Sequence, residues 1–255
     1  IASKASAPLV EALKADSEQT RAGAANAIAA MSPIPDSAIG PLNECLTDSS
    51  IIVRTAAINA LAINALASQN GNSQEWVSKL KTLAVDAQPA IRQAALVALD
   101  GTDDTEASLE VFVDRLSDDD ETVRLAAAVA LGRSETRATS ALGPLLSIRD
   151  DKLADIRKAV VDAIAKTSNR DEEIVTAVTE LLSDPDSSVR VAAIKAVGDM
   201  EITSVPIVTA LTDSLDSTDE NVLLAALPSL STLGAKSEIT TAQLSKVLQD
   251  QRSTV

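Results

Sequence analysis

An arginine returns along this chain at nearly constant spacing, each time with small side chains close behind it. The steps between successive copies are 33, 38, 32, 33, 33 and 33 residues, and the last step ends at a leucine in the arginine's place. The copies are Arg21, Arg54, Arg92, Arg124, Arg157, Arg190 and Leu223, in contexts such as V-R-T-A-A, I-R-Q-A-A and V-R-V-A-A. A fixed period of this size indicates one supersecondary unit stacked on itself.

The core of such a chain must be built from small and aliphatic side chains. Of the 255 residues, 45% are hydrophobic but 1% are aromatic, and Trp76 and Phe112 are the only two aromatic residues. Alanine has the highest helix propensity. Stacked helical hairpins do not need aromatic side chains, because each unit buries its face against its neighbours. The composition therefore favours an all-α repeat fold.

Each repeat divides into two helices joined by a polar turn. In the first helix, apolar residues recur four positions apart, as at Leu9 and Leu13. We expect Pro8, Pro41 and Pro144 in the first turn of this helix, where the missing N–H has no partner to lose. The second helix is predicted to start at the arginine motif. The predicted units are 6–32, 39–67, 74–101, 106–134, 139–168, 171–200 and 204–234, with a half unit at 239–250.

The pattern D-x5-R-x-A-A-x-x-A-[LVI] resembles the short HEAT-like repeat of bacterial proteins, the type found in phycobilisome lyase-related proteins. The resemblance covers nearly the whole chain. It implies an all-α fold, a right-handed α-solenoid of about seven HEAT-like helical hairpins plus a terminal helix, forming one domain over residues 1–255. Such repeats serve many unrelated roles, so the resemblance leaves the function open.

An aspartate precedes nearly every arginine by six residues. In HEAT-like proteins such residues form a ladder, in which each arginine reaches the aspartate of a neighbouring unit, and the resemblance assigns them this structural role. Recurrence in every unit also indicates scaffolding, since a catalytic pair is needed only once. Leu223 interrupts the pattern, so we expect the stack to loosen or end there. The predicted ladder comprises Asp48, Arg54, Asp86, Arg92, Asp118, Arg124, Asp151, Arg157, Asp184 and Arg190.

Two positions of the second helix vary while the frame repeats. We number each second helix from the residue before the arginine, which is position zero. Positions three, four, seven and eight are predicted to be buried, whereas positions two and six share a different face. By resemblance to HEAT-like stacks, that face lines the concave surface. The predicted partner-binding residues are Thr55, Asn59, Gln93, Val97, Leu125, Val129, Lys158, Asp162, Val191, Lys195 and Leu224.

The apolar members of this set allow two interpretations. Val97, Leu125 and Val129 would form an apolar patch in the middle of the lining, which is typical of a docking groove for a protein or peptide. Alternatively, Leu125, Val191 and Leu224 pack sideways against adjacent units. We favour the groove.

The step of 38 residues marks an insertion of about five residues, placed mainly in the polar segment 68–73. Trp76 follows it, and a lone tryptophan there either fills the gap that the insertion opens or serves as a binding hot spot. We favour the packing role. Cys45 is predicted to be a small packed residue.

The composition argues against several classes of function. A net charge of −15 disfavours nucleic acid and anionic membrane surfaces as partners. No apolar run is long enough for membrane insertion. Without histidine, with one cysteine and with no glycine-rich phosphate motif, the sequence predicts no catalytic site and no cofactor or metal. Acidic segments at 100–106 and 118–121 are better explained as helix caps than as calcium loops.

The sequence therefore predicts a noncatalytic scaffold that binds a partner protein or peptide on its concave surface. One alternative is a chromophore lyase or chaperone-type subunit related to the phycobilisome lyases, on the repeat resemblance alone. Another is the accessory repeat region of a larger enzyme. Because the chain begins at Ile1 rather than methionine, we expect a mature product or a piece of a longer protein.

Overall fold

Helices account for all the regular secondary structure in the described part of the chain. The computed structural model describes residues 2–31, 33–67, 74–102, 105–133, 135–167 and 169–234, and the predicted half unit at 239–250 lies outside them. The helices are α1 (Ala2–Ala12), α2 (Glu18–Ala29), α3 (Asp36–Cys45), α4 (Ile51–Ala67), α5 (Gln74–Leu83), α6 (Pro89–Asp100), α7 (Thr105–Arg115), α8 (Glu121–Leu131), α9 (Glu135–Ser140), α10 (Leu142–Ser147), α11 (Ala154–Lys166), α12 (Glu172–Leu181), α13 (Ser187–Met200), α14 (Val205–Asp213) and α15 (Glu220–Gly234). None of these helices is both long and apolar enough to cross a membrane.

The chain divides into two compact units, residues 1–130 and 131–255. In the first unit, α1 packs on α2, α3 on α4 and α5 on α6, and the second helices α2, α4 and α6 contact one another in sequence. In the second unit, α12 packs on α13 and α14 on α15, and α11, α13 and α15 contact one another in the same way. Each unit is thus a stack of helical hairpins whose second helices form one layer.

Small residues at fixed positions of the second helices build the core. Position four is alanine in α2, α4, α6, α8, α13 and α15 and Val160 in α11, and all seven side chains are buried. The aliphatic residues at position eight are buried as well: Ile28, Leu61, Leu99, Leu131, Ile164, Val197 and Leu230. Alanine side chains let successive second helices approach closely without aromatic residues. The predicted burial pattern of these two positions is confirmed.

The prolines of the first helices behave differently from one another. Pro8 and Pro41 lie inside α1 and α3, which begin six and five residues earlier, so their prediction as first-turn residues was wrong. Pro144 does lie in the first turn of α10, as predicted. There the preceding helix ends at Ser140, the residue whose carbonyl a proline ring four positions later would contact. The first helix of this repeat is therefore split into α9 and α10.

The insertion in the second step of the repeat lengthens a helix. α4 has 17 residues, whereas α2 and α6 have 12 each. This difference of five residues accounts for the step of 38, and the polar segment 68–73 itself lies outside the described residues. Trp76 at the start of α5 is buried, in agreement with the packing interpretation, and Cys45 is buried as predicted.

Candidate interaction surface

A bidentate ion pair connects the third repeat with the fourth in the first unit. The Arg92 guanidinium donates to both carboxylate oxygens of Asp118, with Nε–Oδ2 at 2.8 Å and Nη2–Oδ1 at 2.5 Å. Its Nη1 donates to the carbonyl oxygen of Asp86, 2.9 Å away. One planar guanidinium therefore holds the turn of its own repeat and the aspartate of the next one. The same arrangement occurs at Arg21 with Asp48 and at Arg157 with Asp184.

The ladder aspartates also shape the turns in which they lie. Oδ1 of Asp118 accepts the backbone N–H of Asp120 at 3.0 Å, which is an Asx turn that leads into α8. The corresponding oxygens of Asp48, Asp86, Asp151 and Asp184 accept the N–H two residues on, at 2.8–2.9 Å. Asp48, Asp86, Asp118 and Asp184 thus combine turn formation with ion pairing.

Arg54 and Asp86 form a looser pair than their counterparts. The Nη2–Oδ1 distance is 3.7 Å, and among the described residues Arg54 Nε is buried without a hydrogen-bond partner. Arg54 still donates from Nη1 to the carbonyl oxygen of Asp48 at 2.7 Å. This loose pair connects the second repeat, whose helix α4 carries the five extra residues, to the third repeat.

In the seventh repeat, serine replaces the ladder aspartate. Ser217 Oγ accepts the N–H of Asp219 at 3.2 Å, so the turn is kept. A neutral hydroxyl, however, cannot form an ion pair with the guanidinium of Arg190. Arg190 keeps its contact with the carbonyl oxygen of Asp184 at 2.8 Å. The predicted interruption of the ladder was at Leu223, and the missing carboxylate 33 residues after Asp184 is a second sequence signal of the same kind.

Arg124 and Asp151 lie in different compact units. Arg124 Nη1 donates to the carbonyl oxygens of Asp118 and Asp119, at 2.9 and 3.1 Å. Asp151 forms the Asx turn described above. Both residues therefore shape their own turns in the manner of the other repeats.

The ladder contacts shift the acidity of the aspartates. The hydrogen bond from Arg21 lowers the pKa of Asp48. Burial by itself raises the pKa of Asp118 and of Asp184. Hydrogen bonds from Arg92 or Arg157 and from the backbone, with the positive charge of the arginine, more than offset burial, so both pKa values lie below the ordinary range. These carboxylates are charged at neutral pH and stabilise the fold as ions.

Position six is exposed in the second helix of all seven repeats. The residue at this position changes from repeat to repeat, whereas positions four and eight hold buried alanine or aliphatic residues throughout. In chain order these residues are Asn26, Asn59, Val97, Val129, Asp162, Lys195 and Pro228. We call the face formed by positions two and six of the second helices the lining face.

Position two of the lining face is less accessible. Thr55, Gln93, Leu125, Lys158 and Val191 are half-buried, whereas Leu224 is 60% exposed. Half-burial of Leu125 and Val191 agrees with the sideways packing that was the competing interpretation for them. The exposure of Leu224 does not.

Two exposed valines lie on the lining face of the first unit. Val97 is 61% exposed and Val129 is 45% exposed. Ile63, which lies one turn after Asn59 on the same side of α4, is 42% exposed. Ile63 was not among the predicted lining residues, although its spacing of four from Asn59 places it on the same stripe.

In the second unit, the lining face is charged on α11 and α13. On α11, Lys158 Nζ and Asp162 Oδ2 form an ion pair at 3.1 Å. On α13, Lys195 is exposed at the corresponding position six. The two units thus present different chemistry from equivalent positions of the repeat.

The acidic segment at 118–121 is used within the fold. Asp118 holds Arg92, and Asp120 accepts hydrogen bonds from the N–H and hydroxyl of Thr122 at 2.9 and 2.6 Å. Asp103 and Asp104 of the other acidic segment lie outside the described residues. In the part of the chain that the structure describes, no three acidic or cysteine side chains are grouped in a way that could hold a metal ion.

Sequence comparison identifies the repeat. A family model described as HEAT repeats matches residues 61–132, 76–165 and 140–231, which together span more than half of the chain. The chain therefore belongs to the HEAT repeat family. A second model, described as a HEAT repeat associated with sister chromatid cohesion, matches residues 42–61, less than one repeat. No curated protein matches the sequence.

Solved structures agree with this assignment. The X-ray structure of Escherichia coli YibA is 18% identical, with a TM-score of 0.69, and the match covers 96% of this chain and 94% of that one. The crystal structure of an engineered protein is 22% identical, with a TM-score of 0.63 and coverage of 94% and 70%. At these identities the likeness shows the fold alone, and the predicted all-α helical-repeat fold is confirmed.

Proposed function

We propose that this chain is a noncatalytic scaffold that binds a partner protein or peptide on its lining face. HEAT repeats typically serve as protein-interaction scaffolds. The observation that supports the proposal here is the exposure of position six, because the fold buries its neighbours at positions four and eight and leaves this one residue variable and accessible.

The apolar part of the lining face is the best place to test the proposal. Val97 and Val129 are exposed at equivalent positions of α6 and α8, and solvent-exposed aliphatic side chains at repeated positions contribute to binding when a partner covers them. Leu125 is half-buried, so replacing it would disturb packing as well as binding. Nothing in the family match or the two structures favours the lyase alternative.

A pull-down from an extract of the source organism tests this function. The chain, the double variant Val97→Asp/Val129→Asp and the control Val85→Asp/Val205→Asp are compared side by side. The control introduces the same charges at exposed valines away from the lining face. We expect the lining variant to lose, by about tenfold or more, a protein that the parent and the control both recover.

Circular dichroism checks that all three proteins keep the same helicity. Equal recovery of every protein by the two double variants would contradict binding on this face of the first unit.

A further inference from the structure

A groove of about 540 Å³ lies between α13 and α15 in the second unit. Gly198 of α13 and Ser229 of α15 lie against each other in its lining. A Cβ atom on Gly198 would lie 2.8 Å from Ser229 Oγ, so glycine is required for this approach. Ser229 Oγ lies within hydrogen-bond distance of the carbonyl oxygens of Ile194 on α13 and Ala225 on α15. The hydroxyl thereby fixes the spacing of the two helices.

The α15 wall of the groove is apolar and contains an unusual residue. Leu224 is 60% exposed, and Pro228 lies inside the helix four residues later. Proline has no N–H, so the helix does not supply the amide donor that the Leu224 carbonyl would otherwise receive. This wall therefore presents an exposed aliphatic side chain beside a backbone acceptor that lacks its usual helical partner.

The α13 wall of the groove is charged. Lys195 and Asp199 are four residues apart and exposed, yet neither has an ion-pair partner within the described residues. By contrast, Lys158 and Asp162 on α11, with the same spacing, are paired at 3.1 Å. Glu201 ends α13 in a left-handed conformation, with φ of 55°, and adds a second carboxylate at the groove.

The charge of the groove restricts what can occupy it. The exposed carboxylate of Asp199 can accept a cation from a partner, and the negative charge of the chain favours a basic partner over an acidic one. The whole chain carries a net charge of −15, which opposes both a second copy of itself and a nucleic acid. A peptide segment with an aliphatic and a basic side chain satisfies both walls, and its backbone N–H groups can donate to the open carbonyl.

We propose that the groove between α13 and α15 binds a segment of a partner protein that carries an aliphatic residue close to a lysine or arginine. The aliphatic side chain packs on Leu224 and Pro228, and the cation pairs with Asp199. This proposal rests on the proposed function and assigns the chemistry of the partner at one place on the second unit.

Selection from a displayed library of short random peptides tests the groove on the full chain. We expect the selected sequences to combine aliphatic and basic residues. Synthetic copies of them, measured by fluorescence anisotropy, should bind Asp199→Lys and Leu224→Glu at least about tenfold more weakly than the parent. The matched controls are Asp213→Lys, with the same charge change on α14, and Leu227→Glu, at a leucine of α15 that is 57% exposed and does not line the groove. Both controls should bind like the parent.

Other results overturn the proposal in distinguishable ways. If the selected peptides are acidic, or if they bind both groove variants with parental affinity, the groove is not their binding site. If their binding is instead lost in Val97→Asp/Val129→Asp, the proposed function stands and the groove proposal fails. If the library yields no peptide that binds the chain, the groove is not a peptide-binding site. A parent chain that is dimeric by light scattering, and monomeric as Asp199→Lys, would identify a second copy as the occupant.

Discussion

Two connections between repeats in the first unit use the same residue types with different geometry. Arg92 and Asp118 make a bidentate pair with a shortest N–O distance of 2.5 Å, and the Asp118 side chain is 4% exposed. Arg54 and Asp86 approach to 3.7 Å, and the Asp86 side chain is 27% exposed. Both pairs occupy identical positions of the repeat. The difference coincides with the five extra residues of α4, which belong to the repeat that supplies Arg54.

These two ion pairs show that a repeated motif determines which residues pair but not how strongly they interact. A short, buried and bidentate ion pair loses much stability when one partner is removed, because the other charge is left without compensation. A longer and more exposed pair contributes little, because water screens it. The third and fourth repeats should therefore be held together more firmly than the second and third.

Removal of the ladder carboxylate is the strongest test of this comparison. Asp118→Asn keeps an oxygen for the Asx turn but leaves Arg92 without its anion, so we expect the free energy of unfolding to fall by about 2–4 kcal/mol. The matched change Asp86→Asn should cost less than about 1 kcal/mol. Urea unfolding measures both values, and hydrogen exchange of α6 and α8 locates the weakened connection.

Equal losses in the two variants would show that the distance difference has no energetic consequence. A loss in Asp118→Asn that is not accompanied by faster exchange in α6 and α8 would place the effect elsewhere in the chain.

Acid should weaken the tight pairs selectively. The pKa values of Asp48, Asp118 and Asp184 are lower in the folded chain than their ordinary value of 3.8. Their contribution to stability is therefore complete above about pH 4 and is lost as the pH falls through the lower, folded-state pKa values. We expect the urea midpoint of the parent to decrease below pH 4, and that of Asp118→Asn to decrease less steeply. Parallel pH profiles would exclude Asp118 as a source of the acid sensitivity.

Much of the fold could be predicted because its determinants are local and repeated. The arginine period locates the seven second helices, and spacing within each helix identifies buried residues such as Ala57 and Leu61 and exposed ones such as Val97. The prolines illustrate the limit of this reasoning. Pro8, Pro41 and Pro144 occupy equivalent positions, yet only the last coincides with a break in the helix. A residue preference describes one position, whereas a break depends on the packing of the whole first helix.

The candidate site was less predictable because it depends on contacts between repeats. Lining residues such as Val129 and Lys195 follow from helical spacing alone. The groove beside Lys195 depends on the contact between Gly198 and Ser229, two residues that belong to different repeats and carry no motif. The loose geometry at Arg54 likewise depends on how an elongated helix packs. Such contacts between helices leave no periodic signal in a single sequence.

The smallest expected effect comes from completing the ladder where the second unit lacks it. Ser217→Asp should preserve the turn to Asp219 and offer Arg190 the carboxylate that Asp184 offers Arg157. Because this pair would be partly exposed, we expect a gain of about 0.5–1 kcal/mol in the free energy of unfolding. Asp219 adds negative charge nearby, but Asp184 tolerates Asp186 at the same spacing. A double-mutant cycle with Arg190→Gln isolates the pair, and its coupling should decrease as salt is added. A gain that persists unchanged in the Arg190→Gln background would attribute the stabilisation to the turn and refute a new ion pair.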